Sequence, residues 1–366
     1  MYPQFGRGGA VVDCEDLSKF GTARFVSEYG FISMESWASM ASVTLPADLT
    51  ADGNSSMMFF RMRQDWPHGQ RVLLGQLGLH FELPTSPRPS EAYKDLTYLS
   101  QAVHAHCVTL SSAHFRMMRG SAAATMGLMF WSLNNQWQGQ SDAAIDYTGR
   151  WKLLLHAAQR FYAPMLLHIH AGWDTLPNTG ANETNITTSI INDTPHAGSA
   201  VATIALRSWA TGSVIQTWKT MSSVPAYSSR NFSKVPRGTY LDGHAAGSVF
   251  LTATVALGAD QDGNRGPLLA PAHHYFTKIK AAGLRDPEIK LTVASDLTVM
   301  ASCSAPAPHV FLDPGELKGH FGDNGFLLLP DAPRLLTFDA MGEAVTAAML
   351  RAKLVVRSPW STLHPK

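Results

Sequence analysis

Apolar residues recur along residues 91–118 at Leu96, Leu99, Val103, Cys107, Leu110 and Met118, close to the period of a helix. Pro89 and Ser90 precede the run and Gly120 follows it, so the pattern predicts one long amphipathic helix. Thr125 to Leu133 differs in kind: an almost unbroken apolar run ending in a polar loop predicts a strand buried on both faces, as in a parallel α/β sheet. Trp151 to Tyr162 has helical spacing again and stops before Pro164. Upstream, Ala23 to Phe31 reads as a short strand whose end turns polar and meets Gly30. Strand, helix-bearing excursion, strand and helix make two βα units.

After about Leu166 the texture changes. Short segments rich in Thr, Val and Ser alternate with Pro, Gly, Asn and Asp: Val201 to Trp209, Val214 to Met221, Ser248 to Leu257, Glu288 to Ala294, Thr298 to Ser302 and Val310 to Leu312. Short strands with turn residues between them predict β-sandwich modules. Pro267 and Pro271 interrupt the pattern between Gly266 and Gly283, which divides the chain into residues 1–165, 166–280 and 281–366. No repeat of fixed period is evident, and the Thr/Asn-rich stretch from Thr179 to Thr194 reads as a low-complexity tract.

Charge narrows the functional classes. With 29 Lys+Arg against 28 Asp+Glu and only 16% charged residues in 366, the chain lacks the basic footprint of a nucleic-acid binder. No apolar run is long enough to predict a membrane span, and Met1 to Gly9 lacks the apolar core of a signal peptide. Cys14, Cys107 and Cys303 lie far apart without a C-x-x-C pair, so neither a disulfide framework nor a zinc knuckle is expected. His104 and His106 fall on different sides of the predicted helix, and His168 and His170 lack a third ligand nearby; no metal is expected. Gly6-Arg7-Gly8-Gly9 follows no strand and is not a dinucleotide fingerprint. Asn54, Asn182, Asn185, Asn192 and Asn231 each begin an N-x-[ST] sequon. Many sequons without a signal peptide point to a missing amino-terminal part.

Two places could carry chemistry. Glu28 ends the first predicted strand, and a carboxylate at the carboxyl end of a buried parallel strand stands where (β/α)₈ barrels place their catalytic groups. By position alone it could equally be a solvated loop acid. At the end of the next strand, Trp131 and Trp137 with interleaved Asn134, Asn135, Gln136 and Gln138 could form a platform for a sugar ring and hydrogen bonds to its hydroxyls. Tryptophan pairs also serve simply as core.

A resemblance joins these segments. Ser27-Glu28-Tyr29-Gly30-Phe31, then Trp131-Ser132-Leu133-Asn134-Asn135-Gln136-Trp137-Gln138, then Gly149-Arg150-Trp151-Lys152-Leu153-Leu154 resemble, in order, motifs from the carboxyl-terminal half of β-mannosidases of glycoside hydrolase family 2. Phe161-Tyr162-Ala163-Pro164 resembles the family's exit from its barrel. Phe311-Leu312-Asp313-Pro314-Gly315 and Phe321 to Leu327 resemble its last β-domain.

The resemblance implies the last two βα units of a (β/α)₈ TIM barrel followed by two immunoglobulin-like β-sandwiches. It also implies a lysosomal or secretory retaining glycosidase, without cofactor, that removes non-reducing-end β-mannose from oligosaccharides. Glu28 would be the nucleophile; Trp131 and Trp137 would shape the sugar subsite, Asn134 would bind a hydroxyl, and Tyr29 would hold the nucleophile. The family's acid/base glutamate sits in an Asn-Glu motif upstream. No acid before Glu28, Glu15 included, has that context, so the acid/base is expected outside this chain.

Three departures accompany the match. Ile32-Ser33-Met34-Glu35 stands for the family's Gln-Ser-Trp-Pro, Met62-Arg63-Gln64-Asp65-Trp66 for its His-Arg-Gln-His-His, and Asn135 for an Asp. They fit changed specificity or a damaged site. The rival readings are an inactive fragment that binds a glycan or partner chain, and another family 2 enzyme, a β-glucuronidase or β-galactosidase.

Overall fold

The computed structural model describes residues 9–49, 55–62, 67–84, 86–171, 185–258 and 269–365. Phe25–Tyr29 (β1) and Gly127–Phe130 (β2) pair in parallel, with Phe25 opposite Gly127 and Tyr29 opposite Phe130. The approach is close enough to need glycine: a Cβ on Gly127 would stand 2.4 Å from the Phe25 ring. Parallel strands require a crossover. Here it carries α1 (Trp37–Ala41), α2 (Ser56–Arg61), α3 (Gly69–His80) and α4 (Pro89–Met117), and α5 (Leu153–Phe161) follows β2.

The helices cover one face of this small sheet. Val26 and Tyr29 are buried toward them, whereas Phe25, Met129 and Trp131 are exposed. The expectation of a strand buried on both faces is therefore corrected: β2 has a neighbour on one edge and helices on one face, among the described residues. The long helix is also corrected in character. Pro89 occupies its first turn, where a missing N–H costs nothing, and Arg116 occupies its last. Yet Tyr93 and every residue from Asp95 to His104 are buried, so α4 is an interior helix rather than an amphipathic one. Three of its serines are satisfied locally: Ser100, Ser111 and Ser112 donate to the carbonyls of Thr97, Cys107 and Val108.

Two antiparallel sandwiches follow. In the first, β3 (Met165–Ala171), β4 (Asn185–Asn192) and β7 (Ser228–Pro236) form one sheet; β5 (Gly198–Ser208), β6 (Val214–Val224), β8 (Val249–Leu257) and β9 (Ala272–Tyr275) form the other in the order β6-β5-β8-β9. Leu167, Ile169, Ile186, Ile190, Ile204 and Leu251 fill the space between. The Thr/Asn tract is corrected here, because Ile186 to Asn192 is a buried run on a central strand. After the short α6 (Arg237–Leu241), the second sandwich joins β10 (Lys290–Val293), β11 (Thr298–Ser302), β15 (Arg334–Asp339) and β13 (His320–Phe321) in one sheet. Its partner holds β14 (Phe326–Leu328), β12 (Ala307–Asp313) and β16 (Val355–Arg357), with α7 (Ala347–Lys353) and α8 (Pro359–Leu363) beside it.

Arginines tie the helical part to both sandwiches. Arg116 donates to the carbonyls of Phe161 and Ala163 and pairs with Asp193. Arg150 donates to the carbonyls of Gly315, Glu316 and Leu317. Arg160 pairs with Asp323, and Arg357 pairs with Asp95 inside α4. Cys14 and Cys107 form a disulfide with a Cα–Cα distance of 5.4 Å across a separation of 93 residues. This overturns the expectation that no disulfide is available: distance along the chain does not limit distance in space, and α4 carries Cys107 to the segment around Cys14.

Candidate active site

Glu28 is exposed, one residue before the end of β1. An irregularity in β1 between Val26 and Tyr29 leaves Ser27 and Glu28 exposed and turns the next residue to the helical face. Tyr29 is 0% exposed; its hydroxyl bonds the Ser112 hydroxyl at 2.7 Å and the Tyr162 hydroxyl at 3.3 Å, on the helical face. The expectation that Tyr29 holds the nucleophile or touches substrate is therefore corrected: it anchors β1 to α4 and to the end of α5.

The chain leaves β2 beside Glu28. The Trp131 N–H donates to the Tyr29 carbonyl at 2.8 Å, and the Trp131–Ser132 peptide bond is cis. The Trp131 ring is 51% exposed at the same end of the sheet. Asn134 is exposed, its amide donating to the Asn135 carbonyl, while its backbone bridges to Ile145. Trp137 is part-exposed, held with the Arg61 guanidinium 5.4 Å from its ring centre and packed so closely on Gly139 that a Cβ there would lie 2.5 Å from the indole. Arg61 also donates to the Gln138 carbonyl. Glu28, Trp131, Asn134 and Trp137 thus belong to one strand end and the loop that leaves it.

That loop is fastened from beneath. Ser132 N–H donates to the Asp142 carbonyl at 3.1 Å, and Ser33 and Ser141 exchange backbone hydrogen bonds of 2.9 and 3.2 Å. Asp146 accepts from Thr148 and Arg150 N–H groups, closing the turn at Gly149, whose φ of +85° suits glycine. Two acids that sequence reasoning passed over lie inside. Glu35 is fully buried and accepts from Asn135 Nδ2 at 2.7 Å and from the Tyr147 N–H at 3.1 Å, with Lys152 Nζ 3.5 Å away. Burial raises the Glu35 carboxyl; Lys152, Asn135 and Tyr147 oppose that, and Asp146 adds to it. Asp142 is 3% exposed with one carboxyl oxygen lacking a hydrogen bond. Burial pushes it up to about 7, and the nearby charge of Glu28 adds to the rise. An acid inside a run of small residues, Ser141-Asp142-Ala143-Ala144, was the available signal.

The sequons divide. Asn54 and Asn182 lie outside the described residues. Asn231 is exposed and Asn185 part-exposed, whereas Asn192 is fully buried, its amide donating to the carbonyls of His196 and Pro225. Asn192 is corrected as a glycan acceptor, because the fold uses its amide internally. His104 and His106 do diverge: His104 is buried against the Ser33 hydroxyl and His106 reaches Glu15. His168 and His170 share a face of β3, rings 5.3 Å apart.

Comparison with known proteins shows what the chain is similar to. A family model described as a mannosidase Ig/CBM-like domain matches residues 184–280, and one described as an Ig-fold domain of mannosidase type matches residues 284–362. The β-mannosidase of Capra hircus is 30% identical over 332 residues, 86% of this chain and 35% of that protein. Over most of its length the chain is similar to part of the β-mannosidases, and its two sandwiches match mannosidase Ig-type domains. It spans about a third of the length of the curated relatives it matches. Among solved structures, a β-D-mannosidase from Dictyoglomus thermophilum superposes with a TM-score of 0.73 at 16% identity, over 95% of this chain and 38% of that one. An exo-chitosanase from Amycolatopsis orientalis gives 0.62 at 16% identity, over 93% and 42%. At that identity these two show the fold alone. Among the described residues, no helix is long and apolar enough to cross a membrane.

Proposed function

We propose that this chain is the nucleophile-bearing part of a retaining exo-β-mannosidase that removes non-reducing-end β-D-mannose from oligosaccharides. The observation that carries the reading is Glu28 exposed at the end of a parallel strand whose neighbour delivers Trp131 and its loop to the same place. The βα units, with one face of β1 and β2 uncovered, support descent from a (β/α)₈ barrel whose other strands would cover Phe25 and Met129.

In this mechanism a Glu28 carboxylate oxygen bonds the anomeric carbon as the glycosidic C–O bond breaks. A second carboxyl, supplied by polypeptide outside these residues, gives its proton to the leaving oxygen. Water then attacks the anomeric carbon, yields its proton to that second carboxylate, and releases mannose and Glu28. Trp131 and Trp137 offer apolar faces to the sugar, and Asn134 offers an amide to a hydroxyl. No step needs a metal or organic cofactor. The sequons at Asn185 and Asn231 and the Cys14–Cys107 bridge support a lysosomal or secretory setting, since disulfides persist in oxidising compartments.

The test is a panel of nitrophenyl β-mannoside, β-glucuronide, β-galactoside and β-glucosaminide assayed with the longer native protein that contains this sequence. Turnover selective for the mannoside, abolished by Glu28→Gln with the fold retained, is the expected result. Turnover of another glycoside in its place, or a near-normal rate in Glu28→Gln, overturns the reading.

A further inference from the structure

Away from the Glu28 end of the sheet, four separate segments bring nitrogen and oxygen ligands together beside the disulfide. The coil Asp13-Cys14-Glu15, the last residue of α3 (His80), His106 on α4, and Lys278 converge. Glu15 Oε1 lies 2.8 Å from His106 Nε2 and 3.5 Å from His80 Nδ1, and the three ligand atoms all fall within 4.8 Å of one another. Around a tetrahedral zinc with ligands at about 2.0–2.1 Å, neighbouring ligand atoms stand roughly 3.3 Å apart. The two measured separations bracket that value. The 3.5 Å gap between His80 and Glu15 is too long for a good hydrogen bond, so those two groups do not satisfy one another directly.

The surroundings match what such a centre requires. The His80 side chain is 5% exposed; its other nitrogen, Nε2, lies 3.6 Å from Asp13 Oδ1 and 3.7 Å from Cys14 Sγ, so Asp13 stands on the far side of the ring and serves as an outer carboxylate only by closing on that nitrogen. Lys278 Nζ sits 2.6 Å from Glu15 Oε2 and 2.7 and 2.9 Å from the two Asp13 carboxylate oxygens, so its ammonium competes with an incoming cation for both acids while leaving Glu15 Oε1 to the histidines. A small cavity of about 10 Å³, lined by Glu15, His80, His106, Lys278 and His309 among others, has room for a single water or ion.

We propose that Glu15, His80 and His106 bind one divalent transition-metal ion of the zinc class, with water as the fourth ligand and Asp13 behind His80. Two imidazoles and a carboxylate, with the neighbouring sulfurs locked in a disulfide, make a nitrogen–oxygen donor set suited to Zn²⁺ rather than Ca²⁺ or Mg²⁺. The ion joins the amino-terminal coil, α3 and α4 near the contact with the first sandwich, and its role is structural.

The test is isothermal titration of ZnCl₂ into the untagged, metal-stripped, oxidised chain, with the thermal midpoint followed in parallel. The expected result is one zinc per chain and a midpoint raised by zinc. His106→Ala or Glu15→Gln should weaken binding at least tenfold, and Asp13→Asn by about 10–100-fold. Lys278→Met removes the competing ammonium and should tighten binding, a gain that misfolding cannot imitate. Absence of binding, binding unchanged in both His106→Ala and Glu15→Gln, or binding that needs prior reduction of Cys14–Cys107 would overturn the proposal, the last by moving the ion onto the thiolates.

Discussion

Asn135 Nδ2 donates to Glu35 Oε1 at 2.7 Å in the floor beneath the Trp131 loop. These are two of the positions at which the chain departs from the motifs it resembles, Glu35 standing for a proline and Asn135 for an aspartate. Separately, each departure resembles damage. An aspartate at 135 would set two carboxylates face to face in a buried site, whereas the amide supplies a donor. Lys152 balances the remaining charge 3.5 Å away.

Asn135→Asp should therefore destabilise the chain at neutral pH by about 2–4 kcal/mol, because one carboxyl must hold a proton or face its neighbour unpaired. Adding Glu35→Gln should recover most of the loss. Urea unfolding of the two single variants and the double variant measures the coupling. Additive effects would mean that the two positions are independent.

Asp142 predicts a pH dependence. Its carboxyl, near 3.8 when unfolded, is pushed up to about 7 by burial and by Glu28. The folded state then holds a proton that the unfolded chain has released, so this residue's contribution is full below about pH 4, declines as pH rises toward 7, and is flat beyond. The shift is worth at most about 4 kcal/mol. Asp142→Asn should flatten that part of the profile and raise the urea midpoint above about pH 7. An unchanged slope between pH 4 and 7 would contradict it.

The Cys14–Cys107 bridge closes a loop of 93 residues and ties the amino-terminal coil to α4. In the chain-entropy account a loop of that length is worth about 4–5 kcal/mol. Cys14→Ser with Cys107→Ser should lower stability by an amount of that order while the far-UV circular dichroism keeps its native shape. Equal denaturation midpoints with and without the bridge would show that the bond does not form in solution.

Much of the fold was legible in the sequence, and what was not has physical causes. Strong local signals survived: the helix expected over 91–118 is α4, Thr298 to Ser302 is β11 unchanged, and Val214 to Met221 lies inside β6. Readings that depended on distant partners failed. Nothing local in Ser189 or Asn192 says that β3 and β7 will flank and bury them. Nothing in α4 announces that Asp95 will meet Arg357, so an interior helix read as amphipathic. At the strand ends, the position of Glu28 was legible because its motif is contiguous. The turn of Tyr29 away from it depends on the irregularity in β1 between Val26 and Tyr29, which puts both on the helical face and which no local pattern announces. The burial of Glu35 and the disulfide are tertiary facts, visible only once the loop and the coil are placed, whereas Asp142 carried a faint local signal in its run of small residues.

The most direct test of the central claim is covalent trapping. The longer native protein containing this sequence would be incubated with a 2-deoxy-2-fluoro-β-mannosyl donor bearing a good leaving group, then digested and mapped by mass spectrometry. The account predicts one fluoromannosyl group esterified to Glu28, in the peptide carrying Ser27-Glu28-Tyr29, and none in Glu28→Gln. A label on any other carboxylate, with Glu28 unmodified in an inactivated protein, would contradict it.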